Sequence, residues 1–262
     1  MNITLEGRIA LVGGSSDGIG FAIAQVLAEC GAKVVLMARN EQKLQSAVSK
    51  LSVQSGQSHS FIVTDFNNHQ LHKQTLRTYF ENHSVDILVN NTNGPVAGDM
   101  FSKSELDYQL AFDLLFQNAV YTTNLAVSSM REKGFGRIIN VSSMTVKEPS
   151  DTLVLSNTMR TALVSWTKSL SNAVGRHGIT VNSVLTGFFD TGRLNSLMRL
   201  QAENSGVAFE KVKESRIGDI PVGRLGEPRE YGALVAFLAS PYADFLTGTA
   251  IPLDGGAGIA AF

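Results

Sequence analysis

A doubly wound, parallel α/β sheet of about seven strands with helices on both faces is the fold this sequence predicts. Two observations carry the prediction. Short apolar runs alternate with helix-spaced stretches along the chain, the pattern that parallel strands and crossover helices produce. The first run, Ile9–Val12, leads directly into a glycine-rich turn, after which Ile19, Ala22, Ile23, Val26 and Leu27 recur at helical spacing. No internal repeat, linker or low-complexity segment breaks the alternation, so residues 1–262 are expected to form a single domain.

Composition narrows the function classes. With 44% hydrophobic and 17% charged residues, the chain has ample material for one core. A formal net charge of −1 without a basic block gives no reason to expect nucleic acid or an anionic membrane as partner. The stretch from Met1 to Gly7 lacks the charged and apolar regions of a signal peptide, and no run reaches transmembrane length, so a cytoplasmic protein is expected. The single cysteine, Cys30, excludes an internal disulfide and is expected to be a small buried residue near the end of the first helix. No histidine or cysteine spacing suggests a metal; His177, at a helix C-terminus, suits the helix dipole and is read as structural.

Strand, glycine turn and helix in that order make a phosphate cradle. Gly14 permits a tight turn, Gly18 lets backbone approach a pyrophosphate, and Gly20 lets the helix pack closely. Ser16, Asp17 and Ile19 border the helix N-terminus, whose free N–H groups face the anion. A second strand is expected at Lys33–Ala38. In dinucleotide folds an acid at its end selects NAD, whereas a nearby arginine accommodates the 2′-phosphate of NADP. The chain reads Ala38-Arg39-Asn40, with no acid before Glu41, so Arg39 is the expected NADP determinant with Asn40 beside it. A solvated surface charge is the alternative for Arg39, and Asp17 argues mildly for NAD.

Further strands are expected at 59–64, 86–90, within 134–143, at 179–184 and at 250–253. Helices are expected at 41–51, 68–82, 104–132, 154–176 and 228–239, with a loop–helix insertion around 188–215. In the long helix 104–132, Leu106, Leu110, Leu114, Leu125 and Val127 take the apolar positions.

The spacing Gly14-x-x-x-Gly18-x-Gly20, the pair Asn90-Asn91, the run Val141-Ser142-Ser143 and the closing Leu253-Asp254-Gly255-Gly256 together resemble the short-chain dehydrogenase/reductase family, in particular its 3-oxoacyl-acyl-carrier-protein-reductase-like members. The resemblance covers essentially the whole chain and implies a Rossmann-type sheet that prefers NADP(H) over NAD(H). It implies an adenine contact at Asp65 with Phe66 beside it, and a cofactor-lining segment Asn91-Thr92-Asn93. It also implies a nicotinamide contact at Thr191, after Gly187. Asn93 stands where relatives have glycine, which asparagine tolerates if the position needs φ > 0. The run Asn91-Thr92-Asn93-Gly94-Pro95 is similar to that of a divergent branch of the family.

In the family a serine polarises the substrate carbonyl, a tyrosine supplies a proton, and a lysine four residues later holds the ribose. Here Ser143 is the serine, but the tyrosine and lysine positions hold Ser156 and Arg160. No tyrosine lies between Tyr121 and Tyr231 to replace the missing one. Arg160 can bind ribose hydroxyls but cannot relay a proton. The relay asparagine of the long helix is also displaced: Leu115 holds its position, with Asn118 the nearest asparagine. Lys147, in the loop after Ser143, is a candidate acid or anion-binding group; an exposed loop lysine is the equal alternative. Phe188 and Phe189 suit either a substrate wall or the core. The expected function is therefore NADP(H)-dependent hydride transfer involving a small carbonyl or conjugated enone, with Ser143, Ser156, Arg160 and Lys147 at the chemistry. A non-catalytic NADP(H)-binding homologue is the alternative. A homo-oligomer, tetramer or dimer, is implied through the long helices and last strand.

Overall fold

The computed structural model describes residues 2–260. Seven strands form one parallel sheet: β1 (Ile9–Gly13), β2 (Lys33–Ala38), β3 (Ser60–Val63), β4 (Ile87–Asn90), β5 (Gly136–Val141), β6 (Ile179–Thr186) and β7 (Ala250–Leu253). Their spatial order is β3-β2-β1-β4-β5-β6-β7, so the direction of winding reverses between β1 and β4. A crevice opens at such a switch point, outside the carboxyl ends of the strands.

The period-2 alternation of each strand divides the core into two layers. Ala10, Val12, Val34, Leu36, Ile87, Val89, Ile139 and Val184 point to one side. They meet Ile23 and Leu27 of α1 (Gly18–Glu29), Leu44 of α2 (Glu41–Val48), and Tyr231 and Val235 of a C-terminal helix, Pro228–Ala239. Leu11, Val35, Met37, Leu88, Ile138 and Val181 point to the other side. There they pack on Leu76 of α3 (His69–Asn82) and on residues of the two long helices that follow β4 and β5. Both faces are apolar because helices cover both, as parallel sheets require.

The expected single helix over 104–132 is interrupted. It starts as α4 (Glu105–Phe112), capped by a reciprocal Ser104–Asp107 box, passes through a π-helical turn at Asp113–Gln117, and resumes as α5 (Asn118–Lys133). The Asn118 N–H reaches back to the Asp113 carbonyl, and its side chain is held from outside the helix. Nδ2 donates to the Phe66 carbonyl at 2.8 Å, and Oδ1 lies 2.7 Å from His69 Nδ1. That lateral pull on a buried side chain accounts for the wide turn, a feature that tends to sit beside functional sites. Leu106 and Leu110, expected on the apolar face, are 66% and 52% exposed, so α4 presents apolar side chains outward.

The remaining helices are α6 (Val154–Val174), α7 (Gly192–Ser205), α8 (Phe209–Gly218) and α9 (Pro228–Ala239). The insertion thus forms two helices and runs three residues beyond the expected end, to Gly218. Cys30 ends α1 half-buried rather than fully enclosed. At the amino end of β5, opposite the crevice, buried Arg137 pairs with Asp244, and its guanidinium and that of Arg8 both lie over the Phe135 ring.

If the Asn118 tether holds the π turn, Asn118→Ala leaves the Phe66 carbonyl and the His69 ring without their partner. A loss of about 1–3 kcal/mol is expected, read as a lower urea midpoint with unchanged slope.

Candidate active site

The glycine turn is built around one asparagine. Asn91, just past β4, donates from Nδ2 to the Gly13 carbonyl at 3.0 Å and to the Gly14 carbonyl at 3.3 Å. A side chain on Gly13 would sit 2.4 Å from the Asn91 carbonyl oxygen, and one on Gly20 would sit 2.3 Å from the Gly14 oxygen. Gly14 and Gly18 have φ of +54° and +58°, the left-handed region that suits glycine. Asp17 caps α1 by accepting from the Gly18 N–H at 2.7 Å. Ser15, which the spacing argument passed over, is fully buried; its hydroxyl donates to the Val12 carbonyl and accepts from the Met37 N–H. The turn is therefore fastened to β2 by Ser15 and to β4 by Asn91.

A buried polar row crosses the sheet just behind the crevice. Asn90 Nδ2 donates to Thr123 Oγ1 and to Asn140 Oδ1, Asn140 Nδ2 donates to Thr167 Oγ1, and Thr167 is reached by Ser183. The row links β4, β5 and β6 to the long helices α5 and α6 and fixes the ends of the strands in register.

Ser143, immediately after β5, caps a short 3₁₀ turn at Met144–Val146. Its hydroxyl accepts from the Thr145 N–H and from the Thr145 hydroxyl. Neighbouring Ser142 is buried with its Oγ unpartnered. From the first two turns of α6, Arg160 donates from Nε to Ser156 Oγ at 3.2 Å and from Nη1 to the Val141 carbonyl at 2.7 Å. Serine and arginine thus form one unit anchored to the strand that carries Ser143. Among the described residues no carboxylate pairs with Arg160. Burial lowers its pKa, yet a guanidinium starts so high that it stays charged. Lys147 ends the 3₁₀ turn half-buried, without a side-chain partner among the described residues, which is neither the fully exposed lysine nor a bonded acid. Glu148, unnoticed in the sequence, accepts from the Ile259 and Ala260 N–H groups and holds the C-terminal segment across this turn.

The other expected residues fall around the crevice. Arg39 is exposed at the end of β2, and Asn40 caps α2 through the Lys43 N–H. Asp65 closes a local turn with Asn67, while Phe66 packs on the His72 ring at 5.1 Å. Thr92 donates to Asn93 Oδ1 at 3.3 Å, and no non-glycine residue has positive φ among those described, so Asn93 needs none of the freedom anticipated for it. Gly187 leaves room for Asp254, since a side chain there would lie 2.5 Å from its Cα. Thr191 caps α7 through the Leu194 N–H, and its methyl faces Gly18. Phe189 is buried against Tyr231, whereas Phe188 turns outward under Arg216. Tyr231 bonds to the Val184 carbonyl and Thr186; burial raises its pKa far above the ordinary phenol value.

A family model described as enoyl-(acyl carrier protein) reductase matches residues 14–258. The chain belongs to the short-chain dehydrogenase/reductase family. It is 32% identical to the 3-oxoacyl-acyl-carrier-protein reductase FabG of Vibrio cholerae, over 97% of this chain and 98% of that protein. It is 30% identical to the NADPH-dependent reductase BacG of Bacillus subtilis, over 95% of this chain and 97% of that one. The L-sorbose reductase of Gluconobacter frateurii, solved with NADPH and L-sorbose, superposes with a TM-score of 0.92 at 27% identity, over 99% and 100% of the two chains. Seven-stranded architecture and family agree, and the chain is an oxidoreductase of that family.

Beneath the crevice of this short-chain dehydrogenase/reductase lies a cavity of about 30 Å³ bordered by Phe66, His72, Asn90, Asn118, Val141 and Arg160. That volume holds a water molecule, not a nucleotide, so the open crevice above it is the candidate site. No helix among the described residues is long and apolar enough to cross a membrane. His72 is fully buried between Thr64 and Thr122, each 3.2 Å from a ring nitrogen. Burial, with a smaller contribution from His69, lowers its pKa from 6.5 to about 4. The unfolded chain therefore binds the proton more readily than the folded one. The contribution is fully present above pH ~6.5 and is lost as pH falls toward ~4, by at most about 3 kcal/mol. Stability measured by urea at pH 7 and pH 4.5 should show this loss in the native protein and a smaller one in His72→Gln.

Proposed function

We propose that this chain is an NADP(H)-dependent reductase that delivers hydride to a small conjugated enone, or to a simple carbonyl, and that residues 1–262 act as one cofactor-binding domain. The observation that carries the reading is the Arg160–Ser156 unit anchored to the Val141 carbonyl, next to Ser143. The glycine turn fits a pyrophosphate, because Gly13, Gly14 and Gly20 leave backbone where side chains would stand. Gly14, Ser16, Asp17, Gly18, Ile19 and Gly20 would hold the phosphates; Arg39 and Asn40 the 2′-phosphate; Asp65 and Phe66 the adenine. Asn91, Thr92 and Asn93 would line the middle of the cofactor, with Gly187 and Thr191 on the nicotinamide side. BacG, by its name, and the L-sorbose reductase, by its bound ligand, support the choice of NADPH.

The bound dinucleotide supplies hydride. Ser143 then donates a hydrogen bond to the substrate oxygen, and Arg160 holds the ribose and adds positive potential. Ser156 cannot take the place of a phenolic acid, because its hydroxyl is shorter and a far weaker acid and accepts from Arg160 Nε. Reduction of an enone needs this oxygen stabilised as an enolate, while the hydride goes to carbon, so hydrogen-bond donors and a fixed cation suffice. Water, Ser143 or Lys147 supplies the last proton. The protein works in the cytoplasm as a homo-oligomer, tetramer or dimer; exposed Leu106, Leu110 and Phe245 support the oligomer.

Fluorescence titration should give tight NADPH binding and much weaker NADH binding. Arg39→Ala should weaken NADPH about tenfold or more through the lost phosphate contact and leave NADH unchanged. With NADPH bound, a matched enone should be consumed faster than the saturated ketone. A ketone preference reverses the choice of reaction, and absence of binding by either nucleotide leaves the non-catalytic alternative without its cofactor as well.

A further inference from the structure

The helix pair α7–α8 carries an arginine where its own pattern calls for an apolar residue. Val212 of α8 is buried against Met198 and Ala202 of α7, and Ile220, just past α8, is buried beside Gly255. Arg216 lies midway between them at helical spacing, so its side chain is carried inward. Its guanidinium carbon lies 4.6 Å over the Phe188 ring. Phe188 and Phe189 belong to an extended segment paired with Gly226, so their side chains leave on opposite sides. Phe189 enters the core, and Phe188 faces α8. The same segment continues, three residues on, to Thr191, whose methyl faces Gly18, so Phe188 stands on the stretch of chain that borders the crevice.

The hydrogen bonding of this guanidinium is incomplete along one edge. Nη2 donates to Gln201 Oε1 of α7 at a long 3.4 Å, and Nε, on the same edge, is buried with no partner. No carboxylate among the described residues lies within ion-pair distance. The Nε–Nη2 edge is one that accepts a carboxylate through two parallel N–H···O bonds, and the ring beneath it fixes the plane of the fork. One amide oxygen, on the exposed Gln201 side chain, is the only acceptor given to this edge among the described residues. Lys147, also without a side-chain partner among the described residues, has neither a fork nor an aromatic platform.

We propose that Arg216 determines specificity for a substrate carrying a carboxylate. The acid group takes the Nε–Nη2 edge in place of Gln201, and the carbonyl or enone end extends toward Ser143. The substrate class is then an oxo acid or an oxo-enoic acid. This deepens the reductase reading and rests on it for the reaction, though not for the binding.

The probes are two pairs differing only in the acid group: 4-oxopentanoate with 2-pentanone, and trans-4-oxo-2-pentenoate with 3-penten-2-one. Calorimetric titration of the protein saturated with NADP+, which cannot deliver hydride to these probes, should show the acid of each pair binding about tenfold or more tightly than its neutral partner. Arg216→Met should remove the preference while the NADPH dissociation constant stays unchanged. Gln201→Glu, which keeps the stack and supplies an internal carboxylate to the same edge, should remove it too. Equal binding of acid and neutral partners by the native protein overturns the proposal, as does a preference that survives Arg216→Met. If that variant loses NADPH binding as well, Gln201→Glu decides. If NADPH never binds, the reductase reading fails by itself, and the same titrations on the protein without nucleotide still decide Arg216.

Discussion

The amide of Asn91 reaching into the glycine turn is the contact on which the site depends. It crosses from the end of β4 to the end of β1 and occupies space that glycines keep clear. Remove the glycines and the strands cannot approach; remove the amide and two carbonyls of the turn lose their donor. The positive φ angles at Gly14 and Gly18 are held in place by this bridge and by the buried Ser15 hydroxyl. The backbone of the glycine turn at the switch point is thus held from two sides, by β2 through Ser15 and by β4 through Asn91, as a preorganised site requires.

A second fixed group stands beside Ser143. Arg160 is bonded to the strand that leads to Ser143, so cation and hydroxyl are positioned by the same backbone. A lysine has three rotatable donors and can surrender a proton; this guanidinium does neither. A guanidinium offers a fixed cation in place of a proton relay, which is why the proposed reaction is one in which oxygen is stabilised rather than promptly protonated.

Much of this was legible in the residues themselves. The glycine spacing marked the turn, and the run Val141-Ser-Ser fixed the register that revealed Ser156 and Arg160. What escaped depends on partners far along the chain. The π turn follows from Asn118 meeting Phe66 and His69, about fifty residues upstream, which no local pattern encodes. Leu106 and Leu110 look like core residues because helical periodicity gives a face, not the side on which the partner lies. Arg216 reads as one more surface charge until Phe188 is placed beneath it. Glu148 gained meaning only once the tail N–H groups, more than a hundred residues later, were seen to end on it.

The strand order also has a consequence for synthesis. A ribosome releases β1, β2 and β3 first, yet the glycine turn waits for Asn91, some 77 residues downstream of the carbonyls it joins. The loop bearing Gly187 waits in its turn for its bond to Leu253, at the end of the last strand. Parallel pairing of this kind is slow to form and leaves apolar strand edges uncovered in the meantime. A truncated or stalled product therefore holds the glycine turn and the first half of the sheet without the last strand that fastens the Gly187 loop across from it.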